Sequence, residues 1–92
     1  MILTIKHKGL AEFYRTGSTA GIQYKHAARL RMQLVALDTA LFITDLQLPG
    51  YRLHRLKGES SHRWSIKVSG NWRLTFEFRA GNVYLLNYED YH

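Results

Sequence analysis

The fold of this chain is decided by residues 64–79, which read WSIKVSGNWRLTFEFR. Apolar and polar side chains alternate on both sides of the central Ser69-Gly70-Asn71, and alternation with period two is typical of half-buried strands. Ser, Gly and Asn are residues that favour a turn. The stretch therefore predicts two antiparallel strands with one apolar side. Trp64 and Trp72 fall on that side and are interpreted as core residues rather than as platforms for stacked bases.

The same pattern continues before and after this hairpin. Pro49-Gly50 marks a turn, after which Tyr51 and Leu53 alternate with polar residues in a further strand. On the other side, residues 80–82 turn the chain into a last apolar strand. An antiparallel meander with one apolar face requires other elements to cover that face.

Two helices are predicted in the first half of the chain to provide that cover. A short helix that contains Leu10 and Phe13 is expected to end at Gly17, and residues 18–21 are expected to form a loop with an N-cap. A second helix follows from a stripe with steps of three and four residues, formed by Ala27, Leu30, Leu34, Leu37 and Leu41. The polar side chains off this stripe are interpreted as a solvated face rather than as an RNA contact: Lys25, Arg29, Arg31 and Gln33.

The sequence thus predicts a single α+β domain over residues 1–92, with two N-terminal helices packed on one face of a mainly antiparallel sheet. The 92 residues include no cysteine, so neither a disulfide framework nor a thiolate metal site is expected. No signal-peptide pattern and no apolar run of transmembrane length occurs, and the expected location is therefore cytoplasmic, with no membrane partner.

The charge of the chain favours a polyanionic partner. Thirteen Lys and Arg residues against seven Asp and Glu residues give a formal net charge of +6 and an isoelectric point near 9.9. Small basic domains of this kind attract nucleic acid. The charge by itself indicates no particular chemistry.

Residues suited to phosphodiester cleavage are predicted on the polar side of the sheet. That side is expected to expose His54, Lys67, Arg73 and Thr75, with Lys57 just past the first strand of the meander. The last strand leads into Asp90, Tyr91 and His92, which bear groups that can exchange protons. Cleavage requires a base, an acid and fixed cations. The alternatives are a frayed C-terminal tail, and a simple turn at Lys57-Gly58.

A metal site is not expected. His54, His62 and His92 are candidate ligands, but the chain contains neither the His-x-x-x-His nor the His-Glu-x-x-His spacing. No cofactor is predicted.

Several segments together resemble the HigB family of the RelE/ParE superfamily of bacterial toxin–antitoxin systems. The likeness spans nearly the whole chain and is strongest from Tyr51 to His92. The segments that carry it are Lys6-His7-Lys8-Gly9-Leu10, Leu53-His54-Arg55-Leu56-Lys57-Gly58, Trp64-Ser65-Ile66, Asn71-Trp72-Arg73-Leu74-Thr75-Phe76 and Tyr88-Glu89-Asp90-Tyr91-His92. The closing pentapeptide combined with Asn71-Trp72-Arg73 is the most specific part.

The resemblance implies a microbial RNase-like (RelE-like) fold and a ribosome-dependent endoribonuclease. Such a toxin of a type II system cleaves mRNA in the A site of the 30S subunit. The 2′-hydroxyl attacks the adjacent phosphate, and no metal is needed. The resemblance also implies a cognate helix-turn-helix antitoxin, similar to HigA.

Carried onto this chain, the resemblance implies six catalytic candidates: His54, Lys57, Arg73, Asp90, Tyr91 and His92. His92 is expected to act as general acid or base with Asp90 orienting the cluster. Lys57, Lys67 and Arg73 are expected to bind RNA, while His54 and Tyr91 assist proton transfer or substrate placement. Two other classes stay open: a superfamily toxin that inhibits a protein such as DNA gyrase, and a non-catalytic RNA-binding module.

Overall fold

A computed structural model describes residues 1–58 and 62–91 of the chain. Its elements follow the predicted order, with helices first and a sheet after them. The helices are α1 (Lys8–Thr16) and α2 (Ala27–Thr39), and short 3-10 turns lie at Tyr24–His26 and Ile43–Leu46. The strands are β1 (His54–Arg55), β2 (Arg63–Ser69), β3 (Trp72–Arg79) and β4 (Asn82–Asp90). They form an antiparallel sheet in the order β1-β2-β3-β4. The predicted α+β class agrees with this architecture.

The two predicted hairpin turns lie where the sequence placed them. The chain reverses between Ser69 and Trp72, and again between Arg79 and Asn82. Ala80 and Gly81 both have positive φ, which is the geometry that matches the right-handed twist of a two-residue hairpin. Tight turns of this kind fix the strand register and therefore fix which residues lie side by side.

The N-terminal segment pairs with β4 in the parallel direction. Isolated bridges join Ile2 to Val83 and Ile5 to Leu86. The amide of Leu3 donates to the Val83 carbonyl at 2.8 Å, and the terminal amine donates to the Gly81 carbonyl at 2.9 Å. The sheet is therefore mainly antiparallel, with one parallel segment at its β4 edge.

One hydrophobic core joins helices and sheet. It contains Leu10 and Phe13 of α1, the apolar stripe of α2 and the apolar side of β2, β3 and β4. Trp64 and Trp72 are half-buried against this core, in agreement with their interpretation as core residues. α1 begins where the His7 ring accepts a hydrogen bond from the Leu10 amide, and it ends at Gly17, whose φ of 81° is the predicted left-handed cap.

Several predictions for the second helix are wrong. Leu41 is not part of its stripe, because α2 ends at Thr39 and Leu41 is 70% exposed. Gln33 is fully buried rather than solvated, because its amide donates to the Lys67 carbonyl at 2.7 Å, beside an irregularity in β2. Residues 18–21 do not cap this helix: the turn Tyr24–His26 intervenes, and His26 occupies the N-cap without a capping hydrogen bond from its side chain.

Two predictions for the sheet are also wrong. The strand expected from Tyr51 begins only at His54, because the chain is still in a turn at Tyr51 and Arg52 has a positive φ of 48°. Thr75 lies on the polar side of β3 but has no exposed surface. The longer side chain of Glu89 hydrogen bonds to it and contributes to its burial.

Within residues 1–58 and 62–91, no helix has the length and apolar character needed to cross a membrane.

Candidate active site

The polar side of the sheet is built from two rows of side chains. Residues in register on antiparallel strands project to the same side, and the side alternates along each strand. The strand register gives a first row, in the order β1 to β4, of His54, Ser65, Thr75 and Asn87. The neighbouring row consists of Lys67, Arg73 and Glu89. The sheet thus brings His54, Lys67 and Arg73 together, as the sequence predicted.

Two hydrogen bonds connect these rows. The Arg73 guanidinium donates to the Ser65 hydroxyl at 3.4 Å, and the Thr75 hydroxyl donates to the Glu89 carboxylate at 2.5 Å. The side chains of Arg73 and Glu89 therefore extend from their own row toward the row that contains His54. Ser65 and Thr75 are buried beneath this layer.

Within the second row, the pair of Lys67 and Arg73 favours an anion. Lys67 and Arg73 lie directly opposite each other, and like charges in this cross-strand position destabilise a sheet. Both side chains are half-buried, so water screens them less than it would screen exposed groups. A phosphate between or above them would offset the repulsion, and arginine is suited to hold a phosphate through two parallel hydrogen bonds.

The C-terminal candidates lie at the end of β4. Asp90 is the last residue of that strand and pairs with Trp72, which places it on the other side of the sheet from Glu89. Tyr91 follows the strand with an exposed ring, and its amide donates to the Asn71 carbonyl at 2.8 Å. The backbone is therefore held as far as Tyr91 and does not form a frayed tail up to that point. His92 lies outside the described residues.

Lys57 lies two residues beyond β1, with an exposed side chain. The preceding amide, that of Leu56, donates to the Arg63 carbonyl at 2.9 Å, so the chain leaves β1 still bonded to β2. Gly58 follows with a φ of 115°, a conformation that side chains disfavour. The chain therefore bends at Gly58, and Lys57 lies beyond the strand that carries His54.

Sequence reasoning missed a buried group of rings beneath the site. His26 is 3% exposed, and its Nδ1 lies 2.5 Å from the Tyr88 hydroxyl. Trp72 packs against both rings, with centroids 5.6 Å from His26 and 4.5 Å from Tyr88. Burial lowers the pKa of His26, with a smaller contribution from Lys25, and burial raises the pKa of Tyr88. The period-two position of Tyr88 on the apolar side of the last strand was a usable signal, whereas nothing in the sequence linked it to His26.

The sequence also indicated no role for Glu89, although this residue lies in the closing pentapeptide that carries the family resemblance. The alternation of the last strand would have placed it beside Arg73 if the register had been known. Among the residues described, no three His, Cys, Asp or Glu side chains are grouped in a way that could hold a metal ion.

Residues 3–92 match the family model described as the RelE-like toxin of the type II toxin–antitoxin system HigB. The chain belongs to this HigB-like toxin family. The match confirms the family that the sequence motifs predicted. A curated HigB-like relative from Proteus vulgaris, named Endoribonuclease HigB, is 47% identical over 92 residues, which are 100% of this chain and 100% of that protein. Its name agrees with the predicted enzyme class.

Proposed function

We propose that this HigB-like toxin is an endoribonuclease that cleaves mRNA in the A site of the 30S ribosomal subunit. The observation that carries the proposal is the row of Lys67 and Arg73 beside the row of His54, all on one side of the sheet. The family and the name of the Proteus vulgaris relative support the same activity. The net charge of +6 suits an RNA substrate and a ribosomal surface.

The proposed reaction is an attack of the 2′-hydroxyl on the adjacent phosphate, without a metal ion or another cofactor. Lys57, Lys67 and Arg73 bind the RNA, and the fixed cations stabilise charge that develops on the phosphate oxygens. His92 acts as general acid or base, and Asp90 orients the terminal group. His54 and Tyr91 assist proton transfer or substrate placement. The products are a 2′,3′-cyclic phosphate and a 5′-hydroxyl.

The arrangement of the helices completes this proposal. We propose that α1 and α2 cover the same apolar side of the sheet, as in the microbial RNase-like fold, so that the polar side stays open to RNA. The membership of Leu10, Phe13, Leu30 and Leu37 in one core with the sheet supports it. The expected partners are the ribosome, mRNA and a cognate helix-turn-helix antitoxin similar to HigA. The place of action is the cytoplasm, where these partners meet.

The test is cleavage of a defined mRNA by purified protein, with and without programmed ribosomes. We expect ribosome-dependent cuts that end in a 2′,3′-cyclic phosphate, together with little cutting of naked RNA. Equal cutting of free RNA would remove the ribosome from the mechanism. A 3′-hydroxyl end would contradict attack by the 2′-hydroxyl. Intact mRNA combined with loss of DNA supercoiling would instead support a toxin that inhibits gyrase.

A further inference from the structure

Glu89 is an acidic residue in the row that also carries the cations Lys67 and Arg73. A carboxylate repels phosphate, so its presence on a side of the sheet that binds RNA requires an explanation. Its side chain is half-buried and is fixed by the hydrogen bond from the fully buried Thr75. The carboxylate is therefore held in one place.

The directions of the Arg73 and Glu89 side chains define the order of three functional groups across the sheet. Arg73 reaches back toward Ser65 on β2, and Glu89 reaches by the same diagonal step toward Thr75 on β3. Neighbouring strands lie about 4.8 Å apart, so the guanidinium and the carboxylate are neighbours above the first row. His54 pairs with Ser65 from β1 and lies beyond the guanidinium. The resulting order is an imidazole, a cation and a carboxylate.

We propose that Glu89 is a catalytic residue that accepts the proton of the attacking 2′-hydroxyl while Arg73 holds the scissile phosphate. This inference rests on the proposed endoribonuclease function. One carboxylate oxygen, Oε2, is anchored by Thr75, and no hydrogen bond from the described part of the chain reaches Oε1. The second oxygen is thus available to the substrate.

The step balances as a proton relay across the phosphate. The 2′-hydroxyl gives its proton to the Glu89 carboxylate as the bond from the 2′-oxygen to phosphorus forms. The bond from phosphorus to the 5′-oxygen breaks, and that oxygen takes a proton from an imidazolium. His54, proposed above to assist proton transfer, lies on the side of the guanidinium opposite Glu89, where this second proton transfer takes place. Exchange with water then restores both groups.

The first experiment compares Glu89→Gln with Glu77→Gln. Glutamine keeps an oxygen that can accept the Thr75 hydrogen bond but is not a base. Glu77 is a matched control because it is a half-buried glutamate on the same side of the sheet, in β3, and it forms an ion pair with Arg79 at 3.7 Å. In single-turnover cleavage on ribosomes, we expect Glu89→Gln to be at least about 100-fold slower, the lower bound of a general-base effect. The melting temperature and the affinity for the ribosome complex should match those of the parent.

The second experiment identifies the side of the phosphate on which Glu89 acts. An mRNA with sulfur in place of the bridging 5′-oxygen has a leaving group that needs no protonation. The defect of Glu89→Gln should persist on this substrate, whereas the defect of His54→Ala should shrink.

Four results would overturn the inference. If Glu89→Gln cleaves within about threefold of the parent rate, Glu89 is not the base. The proposed function would still stand in that case, provided that the parent produces cyclic phosphate ends. Recovery of Glu89→Gln on the sulfur substrate would place its action at the leaving group. If Glu89→Gln does not fold, Thr75→Val keeps the carboxylate and removes its anchor, and an unchanged rate in that variant contradicts a fixed Glu89 base. A parent that yields 3′-hydroxyl ends removes the proposed function and this inference together.

Discussion

His26 and Tyr88 form a buried hydrogen bond across 62 positions of sequence, with Nδ1 of the imidazole 2.5 Å from the phenolic oxygen. The bond ties the turn that precedes α2 to the last strand. Trp72 packs against both rings and directly precedes Arg73, while Tyr88 directly precedes Glu89. The rings on the apolar side of the sheet therefore hold the backbone that presents the polar rows.

The stability of the protein should fall as the pH drops below about 6.5, the ordinary pKa of histidine. Burial lowers the pKa of His26 in the folded state, so the unfolded chain takes up a proton first. The stabilisation is present above the unfolded pKa and is lost as the pH falls through the folded pKa. Urea unfolding at pH 7.5 and pH 5.5 measures this loss.

The control for this prediction is His26→Gln, which removes the titrating ring. The variant should be less stable than the parent at pH 7.5, and its stability should change less between the two pH values. His7, whose pKa burial also lowers, remains in the variant and accounts for a residual slope. Equal slopes in the two proteins would show that His26 does not contribute.

Replacing Arg73 or Lys57 by alanine should affect catalysis far more than folding. Both lie on or beside the polar side of the sheet, and surface substitutions cost less than about 1 kcal/mol in most cases. Activity should fall by roughly two orders of magnitude, as when one fixed charge-stabilising donor is lost. Single-turnover cleavage and urea unfolding separate the two effects. Lys25→Ala, on the exposed turn before α2, is the matched control, and a fully toxic Arg73→Ala would exclude that residue from the site.

Gly9→Ala should destabilise the fold strongly. A Cβ at residue 9 would lie 2.1 Å from the carbonyl oxygen of Gly21, which is backbone and cannot move aside as a flexible side chain can. Overpacking of this kind costs about 1–3 kcal/mol, and the cost is higher where backbone must shift. Gly17→Ala provides the comparison. A Cβ there meets no atom within 4 Å, and the left-handed φ costs about 1–2 kcal/mol. Thermal unfolding should rank Gly9→Ala as the less stable variant.

Deleting His92 should leave a folded protein that still binds its antitoxin but no longer cleaves mRNA. The hydrogen bond from Tyr91 to Asn71 anchors the backbone next to this residue, so the deletion removes a ring without loosening β4. A C-terminal tag should also impair cleavage, because it crowds the ring, whereas an N-terminal tag should be better tolerated. Primer extension on mRNA from expressing cells tests all three proteins. Parental cutting by the deletion variant would move the acid–base role to His54.

The strands were predictable from the sequence because their alternation is local. The polarity of residues 64–79 determines which side chains face the core, so Lys67 and Arg73 fell on the polar side as expected. Burial was not predictable to the same extent. Gln33 and Thr75 look polar and exposed in a one-dimensional pattern, but each is buried because a partner distant in sequence meets it.

The site was predictable in its cations but not in its carboxylate. Glu89 could not be assigned, because its relation to Arg73 depends on a register that an irregularity between Thr75 and Glu77 changes. Likewise, the contact of His26 with Tyr88 depends on where α2 begins. The 3-10 turn that directly precedes α2 made this first residue unpredictable from the sequence. The Arg73–Glu89 pairing and the His26–Tyr88 contact both arise from long-range packing, which the local periodicity of the sequence does not indicate.

The parallel pairing of residues 1–6 with β4 has a consequence for the order of synthesis. Residues 1–6 leave a translating ribosome well before their partners, residues 81–86. Contacts between such distant segments close slowly, because the intervening chain must first be ordered. The rows that contain Glu89 and Asn87 also require β4. A nascent chain therefore carries an incomplete polar surface, which is completed only after the greater part of the toxin's own translation has finished.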